Sequence, residues 1–129
     1  EKIVIDKYVN LLKNSANYNE FKNLKMFKNY LYVVNLKKSL KNIENLRGIN
    51  GTFYQKKLNN LSELKEYISK KCQTVTYFGF ESNELKSFLL KSNLFGIDRM
   101  VPIGKGLDIG PQWDGHDILS SLSRVINLE

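Results

Sequence analysis

Residues 73–103, QTVTYFGFESNELKSFLLKSNLFGIDRMVPI, contain the pattern that decides the fold class. The segment 73–80 is rich in aromatic and β-branched side chains and predicts a strand, and 97–103 predicts another. Apolar side chains recur at helical spacing between them, with Ser82 placed to cap a helix and Gly96 placed to end it. A strand, a helix and a strand in this order are typical of a parallel α/β layer.

The same alternation extends to both sides of this stretch. Residues 52–58 predict a strand and 60–71 predict a helix. Near the end of the chain, 114–125 carry apolar residues at helical spacing, which predicts a closing helix with Asp114 as its cap. We therefore expect an α/β fold of alternating strands and helices over residues 51–129.

The first 50 residues follow a less regular pattern. Residues 6–13 predict a short helix, and the aromatic and β-branched segment 30–36 predicts a strand. Residues 14–29 are rich in Asn and Lys, with apolar side chains spaced by three, so both a helix and an ordered loop remain open there. Residues 37–51 are interpreted as a connection. Segment 1–50 is thus predicted to be helical or irregular, with one strand.

The composition is that of a packed domain with a basic first half. The 129 residues are 42% hydrophobic and carry a formal net charge of +7. Residues 1–71 hold 15 basic and 6 acidic side chains (+9), whereas 72–129 hold 5 and 7 (−2). A basic half raises the hypothesis of nucleic-acid or phosphate binding. Because the lysines are scattered along the sequence, we prefer a solvated surface and do not expect nucleic acid as a partner.

Membrane insertion and thiol chemistry are both disfavoured. Apolar runs are shorter than the roughly 18–20 residues that a membrane span needs, and a signal peptide is not visible. The single cysteine, Cys72, cannot form an internal disulfide, so a reducing, cytoplasmic setting is expected. The only imidazole, His116, lies 44 residues later. A buried, inert Cys72 is therefore favoured over a self-standing thiol enzyme.

Two short runs near the C-terminus hold the other chemical candidates. Residues 104–110, GKGLDIG, have three glycines without the G-x-G-x-x-G spacing of a dinucleotide loop, so a turn is favoured over a phosphate site. Residues 113–117, WDGHD, contain the only Trp and the only His. Their spacing matches no common zinc pattern, and we predict no metal site.

Three stretches taken together carry a family resemblance. They are QTV at 73–75, GIDRMVPIG at 96–104, and the set LD at 107–108, WDGHD at 113–117 and LSR at 122–124. Their order and spacing resemble the C-terminal end of the long-chain fatty acyl-CoA reductases, the enzymes that supply aldehyde to bacterial luciferase. The resemblance covers about residues 51–126. The chain departs from the family at His116, where a tyrosine is expected, and at 109–110, where a hydroxyl is expected.

The resemblance implies an aldehyde-dehydrogenase-like fold and mechanism. In such a reductase a cysteine thiolate attacks the acyl thioester, coenzyme A leaves, and NADPH delivers hydride to release the aldehyde. The nucleophile and the nicotinamide domain would lie upstream of this chain, so no catalytic residue is expected in it. We expect the isolated chain to be inactive, with the missing N-terminal part of the same enzyme as its partner. Apolar surface left uncovered would also favour a homo-oligomer.

Within that resemblance, three side chains are candidates for contact with the fatty acyl-CoA substrate. Arg99 lies on a predicted strand before the glycine-containing loop, where its fork could hold a carboxylate or a phosphate. Trp113 could line the acyl channel, and His116 is the third candidate. The alternative function is a non-catalytic basic module that binds nucleic acid or another polyanion, which a steep salt dependence of binding would support.

Overall fold

A computed structural model of the chain describes residues 1–38, 40 and 43–128. It divides into two compact units, Glu1–Tyr67 and Ile68–Glu129. Both units combine helices with small sheets, which agrees with the predicted α/β class. The strand that follows residue 51 pairs with the strand at Leu31–Leu36, within the first unit.

The first unit is a helix followed by a three-stranded mixed sheet. Its elements are α1 (Lys2–Asn17), β1 (Phe21–Phe27), β2 (Leu31–Leu36) and β3 (Thr52–Gln55), with 3-10 turns at Ile43–Asn45 and Leu61–Tyr67. The strand order is β1-β2-β3. β2 pairs antiparallel with β1 and parallel with β3. The carboxyl ends of β2 and β3 therefore lie at the same edge of the sheet as the start of β1.

One face of the central strand forms the core of this unit. β2 alternates between half-buried and fully buried residues, as period-2 side-chain alternation requires. The buried set comprises Leu11, Tyr32, Val34, Leu36, Leu40 and Leu46. Lys7 of α1 is also buried: its Nζ donates to the Asn29 carbonyl at 2.8 Å and lies 4.0 Å from the centre of the Tyr32 ring. These two contacts replace part of the hydration that the ammonium group loses.

Several predictions for this unit need correction. The short helix predicted at 6–13 is the longer α1, and 14–29 contains the strand β1 instead of a second helix or a loop. β1 was missed because it is an exposed edge strand without alternating burial. The strand predicted at 52–58 ends at Gln55, and the helix predicted at 60–71 is only a 3-10 segment. Residues 39, 41 and 42 of the predicted connection lie outside the described residues.

The second unit contains the predicted strand, helix and strand. Its elements are β4 (Thr74–Tyr77), α2 (Ser82–Ser92), β5 (Arg99–Pro102), β6 (Gln112–Trp113), β7 (His116–Asp117) and α3 (Ile118–Leu122). β4 and β5 pair in parallel on either side of α2 in the chain, as predicted. Leu85 and Phe88 of α2 are its buried residues. Among the described residues, no helix has both the length and the apolar character needed to cross a membrane.

Two details of this unit differ from the prediction. α2 starts after Glu81, and its left-handed C-cap is Asn93 (φ 46°, ψ 49°) instead of Gly96. The helix predicted at 114–125 is shorter than predicted: Trp113 and His116 face each other in a β-hairpin, and the helix is the five-residue α3. Asp114 lies in the turn of that hairpin, so it does not cap a helix.

Candidate functional site

The side chain of Arg99 organises the loop that follows β5. Its Nη1 donates to the Gly106 carbonyl at 3.2 Å, and its Nη2 donates to the carbonyls of Lys105 (3.4 Å) and Asp108 (3.0 Å). The chain therefore wraps around the guanidinium group, which fixes three backbone carbonyls with one rigid fork. In this structure the fork contacts protein backbone where a substrate carboxylate or phosphate was expected.

The same guanidinium group packs on the only tryptophan. The Arg99 Cζ lies 4.2 Å from the centre of the Trp113 ring, within the range of a cation–π contact. Both side chains are half-buried. Arg99 thus connects β5, the loop after it and β6, and two of the three candidate residues are in direct contact.

The third candidate is placed by the β6–β7 hairpin. His116 pairs with Trp113, and the two residues between them, Asp114 (φ 48°) and Gly115 (φ 79°), both have positive φ. An Asp-Gly pair with this geometry is the preferred two-residue hairpin turn. A Cβ on Gly115 would lie 3.1 Å from the Asp98 carboxylate, so the glycine also lets that carboxylate approach the turn.

A polar cavity of about 370 Å³ lies beside this cluster. Its walls are formed by Asp98, Arg99, Gln112, Gly115, His116 and Asp117. The volume is within the range of small-molecule sites, roughly 300–1,000 Å³. Two carboxylates, an imidazole and a guanidinium give the cavity both hydrogen-bond donors and acceptors. Within the described part of the chain, no group of three or more His, Cys, Asp or Glu is placed to hold a metal ion.

Two backbone amides of the glycine-containing loop donate to nearby backbone carbonyls. The Lys105 amide donates to the Pro102 carbonyl at 3.0 Å and the Asp108 amide donates to the Lys105 carbonyl at 3.3 Å. The Lys105 ammonium also lies 3.0 Å from the Asp108 carboxylate. A phosphate loop needs amides that point at the anion. These amides close the turn on itself, which agrees with the preferred interpretation of 104–110 as a turn.

Cys72 does not line this cavity. It is half-buried ahead of β4, and its backbone amide donates to the Ser69 carbonyl at 2.9 Å.

Three residues that line the cavity, Asp98, Gln112 and Asp117, were not predicted as candidates. Asp117 also caps α3. The sequence signal that could have found Gln112 and Asp117 is the Asp114-Gly115 pair, which marks a hairpin and brings its flanking residues together.

We expect the start of α3 to loosen on acidification. Asp117 accepts a hydrogen bond from the Ser120 amide (3.2 Å) and one from the Ser120 hydroxyl (2.9 Å), and these bonds hold the pKa of Asp117 below its usual value of 3.8. Because the folded-state pKa is lowered, the stabilisation is present above pH 3.8 and is lost as the pH falls through the folded pKa.

An NMR titration of the Ser120 amide measures this effect. The amide shift should follow the protonation of Asp117, with a midpoint below 3.8. The matched control is Asp117→Asn, whose side chain does not titrate and should give a flat profile in the same range. A midpoint above 3.8 in the unsubstituted chain would contradict the cap geometry.

No family model matches the chain, and no curated protein or solved structure is significantly similar to it. The structure itself shows an α/β fold of two compact units. In the second unit, a loop organised by arginine lies beside a polar cavity.

Proposed function

We propose that this chain is the C-terminal part of an aldehyde-dehydrogenase-like, NADPH-dependent reductase that converts long-chain fatty acyl-CoA to fatty aldehyde through a cysteine acyl-enzyme. The support begins with where the family-like stretches lie. The stretch 73–75 covers the start of β4 and the residue before it, and the stretch 96–104 contains β5. The two strands pair in parallel, with Thr74 opposite Arg99. The third set, at 107–108, 113–117 and 122–124, lies in the loop, in the hairpin and at the end of α3.

The observation that carries the proposal is the contact of Arg99 with the third set. Arg99 belongs to the stretch 96–104, and its guanidinium donates to the Asp108 carbonyl and packs on Trp113, both of which belong to the third set. Residues that carry the resemblance in separate parts of the sequence thus form one cluster beside one cavity. In the proposed reductase, Arg99 positions the loop and packs on Trp113, and His116 contributes a polar wall of the cavity beside them.

The exposed surface supports a covering partner. The chain has a mass of 15.0 kDa and an accessible surface of 10483 Å². A folded monomer of this mass exposes about 7,000 Å², and two independent halves would together expose about 8,500 Å². Exposed apolar side chains on α1 and near the C-terminus contribute to this extra accessible surface. They include Ile3, Ile5, Leu12, Val125, Ile126 and Leu128.

In our proposal, the upstream part of the same reductase covers this apolar surface. That upstream part also supplies the nucleophilic cysteine and the NADPH-binding domain. A homo-oligomer would cover any apolar surface that still remains exposed. We propose a cytoplasmic location, in line with the single cysteine.

Acylation by a long-chain acyl-CoA tests the proposal. The isolated chain and the full-length reductase that contains it are incubated with palmitoyl-CoA and analysed by intact mass. We expect an acyl adduct on the full-length enzyme, NADPH-dependent release of aldehyde, and no adduct on the isolated chain. The matched control is Cys72→Ser in both proteins, which should change neither result.

Two outcomes would contradict the proposal. An adduct on the isolated chain that Cys72→Ser abolishes would make Cys72 the nucleophile and would assign the chain to a self-standing thiol enzyme. A full-length protein that forms no adduct and oxidises no NADPH in the presence of palmitoyl-CoA would remove the chain from the reductases.

A further inference from the structure

Five lysines that are scattered in the sequence surround one cavity in the first unit. The cavity has a volume of about 530 Å³, and it is lined by Lys22, Lys25, Lys37, Lys56 and Lys57 together with amide side chains. We call it the lysine cavity. None of its lining residues, all of which belong to the described part of the chain, is Asp or Glu. Its positive charge is therefore not neutralised from within the cavity walls.

The order and direction of the strands explain why these lysines meet. β2 and β3 run parallel, so the residues that follow them, Lys37 and the pair Lys56-Lys57, emerge at the same edge of the sheet. β1 runs antiparallel to β2, so its start, with Lys22, lies at that edge too. Three separate segments of the basic half of the chain thus converge at one place.

The floor of the lysine cavity is a row of side-chain amides. Asn23 pairs with Asn35 across β1 and β2, and Asn35 pairs with Gln55 across β2 and β3. Asn35 lies between the buried Val34 and Leu36 in β2, so it and its two partners occupy the sheet face opposite the core. Leu36 also lines the cavity. The Asn35 amide donates to the Asn23 side-chain oxygen at 2.7 Å, which orders two members of the row.

One wall of the lysine cavity is also ordered. The Lys56 ammonium donates to the Lys37 carbonyl at 2.7 Å, and Lys56 is half-buried. This bond ties the segment after β3 to the segment after β2. The remaining lysines are exposed. Ammonium and amide donors around a concave, positively charged surface are the groups that bind phosphate oxygens.

We infer that the lysine cavity binds the phosphate groups of a phosphorylated nucleotide, and that in the reductase this ligand is the 3′-phosphoadenosine diphosphate part of acyl-CoA. The identification of coenzyme A rests on the proposed function, whereas the phosphate chemistry rests on the cavity. The volume matches a small-molecule site of roughly 300–1,000 Å³. A single concavity fits a compact ligand with about four negative charges better than a nucleic-acid strand, which needs an extended basic track.

Calorimetric titration of the chain with coenzyme A tests this inference. We expect binding that weakens as salt is added, because exposed charges are screened. Dephospho-coenzyme A should bind more weakly, and pantetheine, which has no phosphate, should not compete. The double variant Lys25→Glu/Lys57→Glu reverses two exposed charges of the lysine cavity and should weaken binding by at least about tenfold.

The matched control reverses two lysines elsewhere. Lys86→Glu/Lys91→Glu changes the net charge by the same amount on exposed positions of α2 and should leave the affinity within about twofold. Circular dichroism of each variant confirms that the fold is retained. Equal weakening by the two double variants would overturn the inference, as would pantetheine that competes as well as coenzyme A. Tighter binding of a single-stranded 12-nucleotide RNA than of coenzyme A would assign the cavity to nucleic acid instead.

A kinetic measurement separates this inference from the proposed function. In the full-length reductase, Lys25→Glu/Lys57→Glu should raise KM for palmitoyl-CoA by about tenfold while kcat changes little. Normal reductase activity with an unchanged KM would overturn the inference that the lysine cavity binds coenzyme A, and would leave the proposed function in place. Binding of coenzyme A and ATP with equal affinity, together with a full-length protein that is not acylated, would retain a phosphate site and overturn the proposed function.

Discussion

Replacement of Gly96 with alanine is expected to destabilise the second unit by about 3–5 kcal/mol. A Cβ at this position would lie 1.9 Å from the Ser69 carbonyl oxygen and 2.9 Å from the Cα of Lys70. Both contacts are with backbone, which cannot move away as the end of a side chain can. Gly96 also has a φ of +131°, which strains any residue with a Cβ. Because small domains are stable by only about 5–15 kcal/mol, this loss is a substantial part of the stability of the unit.

Urea unfolding followed by tryptophan fluorescence measures the loss. Trp113 is the only tryptophan and belongs to the second unit, so its signal reports on that unit. Gly104→Ala is the matched control: Gly104 also has a positive φ, of 93°, but a Cβ there would meet no atom within 4 Å. The control should cost only the backbone strain, about 1–2 kcal/mol. Equal free energies of unfolding for the two variants would contradict the close approach of Ser69 to Gly96.

Gly96 also shows where prediction from the sequence stops. The strand, helix and strand of 73–103 could be predicted, because burial in a parallel sheet and on a helix face leaves distinct periodicities. A glycine after a helix is normally its C-cap, yet Asn93 takes the left-handed conformation here. The reason for the glycine lies 27 residues earlier, at Ser69, and a contact of that kind leaves no local pattern.

The predictions for the C-terminal run and for the first strand failed for different reasons. At 113–117 two local signals compete, the Asp-Gly pair of a tight hairpin and the helical spacing of the apolar residues beyond it. The chain forms the hairpin, and apolar residues of the predicted helix, such as Leu122 and Val125, are exposed. β1 has no buried face of its own and is held by backbone pairing to β2, so its side chains carry no alternation.

The candidate sites also combine features that the sequence suggests with features that only the structure shows. Arg99, Trp113 and His116 could be selected from the sequence by family resemblance, but the packing of Arg99 on Trp113 required the structure. The lysine cavity could not be predicted at all. Its lysines are distant in sequence and converge only because the sheet order is β1-β2-β3 with one antiparallel and one parallel pair. Charge clustering is a property of strand direction as much as of composition.

Loss of the Arg99 guanidinium should be the second large effect. Arg99→Met keeps most of the apolar length of the side chain and removes three hydrogen bonds to carbonyls and the contact with Trp113. Hydrogen bonds from a charged donor contribute about 1.5–3 kcal/mol each when buried, and less when exposed to solvent. Because Arg99 is half-buried, we expect a total loss of about 2–3 kcal/mol in the free energy of unfolding of the second unit.

The variant should act on the loop and on Trp113 together, which distinguishes it from general destabilisation. Below the unfolding transition, Arg99→Met should change the fluorescence of Trp113 and speed proteolysis within 104–110, while Gly104→Ala should leave the Trp113 emission unchanged. Arg99→Lys should not restore the loop, because a single ammonium cannot reach three carbonyls and stack on the indole at once. An Arg99→Met chain with unaltered emission and cleavage would show that the loop is held by its own turn, through the Lys105 and Asp108 amides, and that Arg99 does not position it.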